Sequence, residues 1–118
     1  MVLRSSSSLW LAAALVLVAN PASARDPGAK KLMQMAAGCA YVVGVAEGSN
    51  VQLNYGSADW IGVVGILEQR TGLDGEKTIN EARAKYKKRA RVMGADEAYQ
   101  YMLGRAQECD REMAVLRS

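Results

Sequence analysis

QMAAGCA, residues 34–40, places Cys39 directly behind three small residues, and three chemistries compete for that thiol. It is a lipid-attachment cysteine, a reactive or metal-binding thiolate, or half of a disulfide. The rest of the chain decides among them.

Upstream, the sequence runs from Arg4 through Ser5–Ser8 into the apolar stretch LWLAAALVLVA at 9–19, then Asn20-Pro21 and the small-residue triplet ASA at 22–24. One basic residue, a short apolar core, a helix breaker and a small-x-small site describe a secretory signal peptide cleaved after Ala24. The apolar run is well short of the roughly 20 residues a membrane-spanning helix needs. A transmembrane anchor is therefore not expected, and the reading is of a periplasmic or secreted protein. A lipidated cysteine would have to follow that apolar core directly. Between Ala19 and Cys39 lie Arg25, Asp26, Lys30 and Lys31 together with Pro21 and Pro27, so lipidation is set aside.

The expected mature chain, residues 25–118, is a single small domain. Removing residues 1–24 takes away Arg4 alone among the charged residues, leaving 14 basic against 12 acidic. A chain this short builds a modest core and gains from a covalent staple, which an oxidising compartment permits.

Downstream, the periodicity is helical throughout. Asp26-Pro27 reads as an N-cap followed by proline at the first helical position. Leu32, Met35, Ala36, Cys39, Val42, Val43 and Ala46 then recur at helical spacing up to about Gly48. Polar residues 49–56 form a connection. Ser57 is expected to cap a second helix with Asp59 in its first turn, and WIGVVGIL at 60–67, apolar on nearly every side, predicts the most buried helix of the set. Gly62 and Gly65 weaken that helix but admit a close neighbouring backbone. Gly72 is the expected C-cap and Asp74 the next N-cap. A third helix carries Ile79, Ala82, Tyr86, Ala90 and Met93 on one side and stops at Gly94; a fourth starts near Asp96 with Met102, Ala106, Cys109, Met113 and Leu116 on one face. No segment alternates with period two over strand length. The fold class is all-α, a bundle of about four helices.

Two cysteines and no histidine exist in the chain. A zinc site lacks its remaining soft ligands, a catalytic thiol lacks its usual base, and no Cys-x-x-Cys is present. The expected state is a Cys39–Cys109 disulfide, since both residues lie on the apolar stripes of their helices. It would close a loop of 71 residues and contribute roughly 4 kcal/mol by the chain-entropy estimate. No metal and no cofactor are expected.

The segment RAKYKKRAR at 83–91 gives the chain its functional colour. Between residues 77 and 91 stand Lys77, Arg83, Lys85, Lys87, Lys88, Arg89 and Arg91 against Glu81 alone. At about 100° per residue, Lys77, Lys85, Lys87, Lys88 and Arg91 fall opposite the apolar stripe, with Arg83 and Arg89 flanking it. The result is either a solvated face that keeps a small protein soluble or a contact for an anion. Nucleic acid is not expected, because aromatics other than Tyr86 are not interleaved with these cations.

The acids Glu47, Asp59, Glu68, Asp74, Glu76, Asp96, Glu97, Glu108, Asp110 and Glu112 show no spacing that singles out an acid/base pair. Neither a Gly-x-Ser-x-Gly elbow nor a phosphate-binding glycine loop occurs. The chain is therefore read as no enzyme. One cysteine near each end of a small exported helical domain resembles the periplasmic acid-stress chaperones, and CAYVVGVAEG at 39–48 resembles the start of some periplasmic immunity proteins. Neither resemblance extends further, the extra cysteines of the second group are missing, and no residue role is carried over. The functional expectation is an accessory or inhibitory protein-binding module of the cell envelope. The alternatives are binding of an anionic envelope polymer or lipid through the basic helix, and an acid or stress holdase whose switch lies in its carboxylates.

Overall fold

The structure, a computed structural model, describes residues 26–118; the expected signal segment 1–24 lies outside the described residues. Four helices follow one another: α1 (Pro27–Ala46), α2 (Ser57–Thr71), α3 (Gly75–Met93) and α4 (Ala95–Leu116). They form a four-helix bundle.

Local chemistry sets the helix ends. The Asp26 carboxylate accepts the Gly28 N–H at 2.9 Å, with Pro27 at the first helical position. The Asp74 carboxylate accepts the Lys77 N–H at 3.0 Å in the same way. Gly72 and Gly94 take positive φ values of 77° and 97°, which only glycine adopts cheaply, and so end α2 and α3. Asp96 and Glu97 occupy the first turn of α4, at the positive end of its dipole. The start of α2 departs from expectation. Gly56, not Ser57, is the N-cap; the Asp59 carboxylate reaches back to the Gly56 N–H at 2.9 Å, while the Ser57 hydroxyl donates to Glu47.

The core forms around α1, which packs against all three other helices. Its buried residues Met33, Ala36, Ala37, Cys39, Ala40, Val42, Val43 and Ala46 point to more than one side, and the alanines let neighbouring helices come close. That overturns the expectation that α2 is the most buried. Among the side chains of WIGVVGIL only Trp60 and Val64 are buried, whereas Ile61 and Ile66 stay 54% and 52% exposed. Two adjacent apolar pairs, at 63–64 and 66–67, do not require neighbours on every side, and α2 has only one side against the bundle. Two smaller corrections have the same cause. Met33 takes the core position assigned to Leu32, and Leu116 lies in the open last turn of α4.

The Cys39–Cys109 disulfide joins α1 to α4 with a Cα–Cα separation of 5.7 Å. Across α2 and α3 the fit is tight at Gly75, where an added Cβ would collide with Val64 Cγ1. Among the described residues no helix is long and apolar enough to cross a membrane.

Candidate functional site

Helix α3 turns Tyr86 into the core and keeps Ile79, Ala82, Ala90 and Met93 half-buried beside it. The opposite side therefore faces solvent, and Lys77, Lys85, Lys87, Lys88 and Arg91 are all exposed there. Among the described residues the ion pairs are Arg105–Glu108, Arg105–Glu112 and Arg117–Asp59. None of them engages this ridge.

The flanking arginines behave differently. Tyr41 of α1 stacks on Tyr86 with ring centroids 5.7 Å apart, and Tyr101 of α4 lies 6.3 Å beyond. Arg89 sits 4.3 Å above the Tyr101 ring and Arg83 5.9 Å from that of Tyr41. One terminal nitrogen of Arg89 is buried without a hydrogen-bond partner, and the tyrosine faces give its charge a place to rest. Burial, reinforced by the neighbouring Tyr101, pushes the Tyr86 phenol above its ordinary range. Sequence spacing showed only Tyr86 among the cations, because the other two rings come from helices distant in the chain. Their faces are occupied by each other and by the two arginines, and Lys85 Nζ also lies 5.9 Å from the Tyr86 ring; the tyrosines knit three helices together and, among the described residues, leave Lys77, Lys87, Lys88 and Arg91 without a ring or an ion pair.

Beside Lys85 opens a cleft of about 410 Å³ between α1 and α3, walled by Gln34, Met35 and Gly38 on one side, Glu81, Lys85 and Tyr86 on the other, and closed by Arg105 of α4. The stretch QMAAGCA thus has two sides: Ala36, Ala37, Cys39 and Ala40 face the core, while Gln34, Met35 and Gly38 line the cleft. Arg105 grips Glu112 with both terminal nitrogens, at 3.1 and 3.2 Å, and approaches Glu108 at 3.6 Å. Burial works against its charge, but the hydrogen bond and charge of Glu112, with Glu108, outweigh it and hold the guanidinium above its ordinary range. Arg105 was not singled out from the sequence. Glu108, one turn on, was the available signal.

The other acids include several with structural work. Asp110, adjacent to the disulfide, accepts the N–H groups of Asn54 and Tyr55 at 3.0 and 2.9 Å and the Asn54 side-chain amide at 3.1 Å, pinning the α1–α2 loop to α4. Glu68 accepts the Gly75 N–H at 2.7 Å. The Cys39 and Cys109 sulfurs and a Glu112 oxygen come within 4.8 Å of one another. With the two sulfurs bonded to each other, that cluster offers a metal no thiolate.

No family model matches the chain, and no curated protein or solved structure is similar to it. The functional reading therefore rests on the charge layout of α3 and the cleft beside it.

Proposed function

We propose that this chain is an exported, non-catalytic protein of the cell envelope that acts by binding another protein, as an accessory or inhibitory module, through the basic ridge of α3. The observation that carries the reading is the division of labour on that helix. Arg89 is half-buried against Tyr101, and Arg83 and Lys85 each lie 5.9 Å from a tyrosine ring, whereas Lys77, Lys87, Lys88 and Arg91 stand exposed along the same rigid element with no ring or ion-pair partner among the described residues. Cations fixed on a packed helix meet a complementary acidic surface with little ordering cost, and their field speeds the encounter. Lys85 extends this surface to the rim of the cleft, where the half-buried Met35 offers apolar area beside the charge.

The test is charge reversal of Lys85, Lys87, Lys88 and Arg91 to Glu, with circular dichroism and thiol titration to verify the helices and the disulfide. The expected result is loss of a discrete protein partner captured from envelope extracts of the native host. Unchanged capture overturns the role of the ridge. Salt-sensitive retention on anionic vesicles or peptidoglycan, with no discrete protein captured, would move the reading to an anionic envelope surface.

A further inference from the structure

Among the described residues nothing covers the exposed side of α2. Ala58, Ile61, Gly62, Ile66 and Gln69 all face outward with Gly65 half-open among them. A Cβ added at Gly62 or Gly65 would meet nothing within 4 Å. Each glycine weakens the helix relative to alanine by up to about 1 kcal/mol, and the fold gives neither one a packing reason. Both isoleucines beside them are more than half exposed, at 54% and 52%. Between Ala58 and Gln69 the outward face carries no charge until its flanks, where Asp59 and Arg70 lie near opposite ends of one side and Glu68, which accepts the Gly75 N–H, lies on the other.

The segment that carries this face is a palindrome: Ile61-Gly62-Val63-Val64-Gly65-Ile66 reads the same in both directions, with Val64 turned inward and Ile61, Gly62, Gly65 and Ile66 toward the open side. Its centre lies between Val63 and Val64. A two-fold axis at that point, perpendicular to the helix, lays a second α2 antiparallel on the first. At 3.6 residues per turn, Ile61 of one copy then comes opposite Gly65 of the other, and Ile66 opposite Gly62. Each isoleucine enters the notch left by a missing side chain, and the two-fold makes the contact self-complementary. On the flank, the same operation brings Arg70 of each copy to the end of the helix that carries Asp59 of the other, and it sets the two helix dipoles antiparallel. A parallel arrangement would instead face Asp59 with Asp59.

The geometry points to a homodimer formed by antiparallel packing of α2 on α2 through Ile61, Gly62, Gly65 and Ile66, with a second copy of this chain as the occupant. The face uses none of the α3 cations, so the dimer is independent of the ridge. It would present two ridges to a partner. Val115 and Leu116 are exposed in the last turn of α4, which precedes the Arg117 that reaches Asp59 at 3.4 Å.

Sedimentation equilibrium of the mature, oxidised chain tests the proposal. The wild-type chain is expected to dimerise. Ile66→Glu, and separately Gly62→Leu, should each weaken dimerisation by about a hundredfold, because the two-fold places every change at the interface twice. Both positions are open in the single chain, so the variants retain wild-type helix content by circular dichroism. A wild-type chain that stays monomeric at every concentration overturns the proposal, as does a dimer that both variants leave intact. Conversely, monomeric variants that still capture the envelope partner separate this interface from the ridge.

Discussion

Helices α1 and α2 are the two apolar helices of the chain, yet α1 is enclosed by three neighbours and α2 by the bundle on one side only. Both mix β-branched and small residues. The difference lies in where the small ones point. In α1 the alanines at 36, 37, 40 and 46 are fully or almost fully buried and let other helices approach. In α2 the glycines at 62 and 65 face open space. Small residues mark a place where another backbone can come near; whether one does depends on how the whole chain is arranged.

The largest test of this contrast is covalent. The Cys39–Cys109 bond anchors α1 to α4, and no corresponding bond holds α2. Replacing both cysteines by alanine should remove roughly 4 kcal/mol of unfolding free energy, read from urea titration. A loss under about 1 kcal/mol would mean that packing around α1 holds the bundle by itself.

The inner side of α2 provides the next test. Gly75, at the start of α3, lies where a Cβ would collide with Val64 and come within 3.0 Å of the Glu68 carboxylate that accepts its N–H. Val64 is buried and β-branched, so it yields poorly. Gly75→Ala should destabilise the protein by about 1–3 kcal/mol. A neutral outcome would show that α2 is as loosely fitted on its inner side as on its outer one.

The same two helices show how far the sequence can be read. Helix ends were legible because their signals are local: Asp26 with Pro27, Asp74, Gly72 and Gly94 act on backbone groups within a few residues. The disulfide was legible because each cysteine sits on the apolar stripe of its helix and nothing else in the chain suits a thiol. The exposed side of α3 was legible because charge cannot be buried cheaply. Burial of α2 was misread, since periodicity gives the direction of a face and not the number of neighbours. Arg105 and Asp110 were missed for a related reason. Asp110 meets Asn54 and Tyr55 across 56 and 55 positions of sequence, and the cleft that Arg105 closes is assembled from three helices.

The smallest expected effect is a gain. Within a single chain, Gly62 and Gly65 contribute nothing that alanine would lose, since each would place its methyl group in open space. Alanine also loses less backbone freedom on entering a helix. In an Ile66→Glu background, where self-association is removed, Gly62→Ala with Gly65→Ala should therefore stabilise the protein by up to about 1 kcal/mol per site, measured by urea titration. With Ile66 intact, the same two methyl groups fill the notches that receive the isoleucines of a second copy and should weaken the dimer. Stabilisation of the monomer together with loss of the dimer has one physical explanation: glycine is retained on this face for what approaches it from outside the chain. Destabilisation of the monomer would instead mean that some part of the same chain covers α2, and the contrast with α1 would fall.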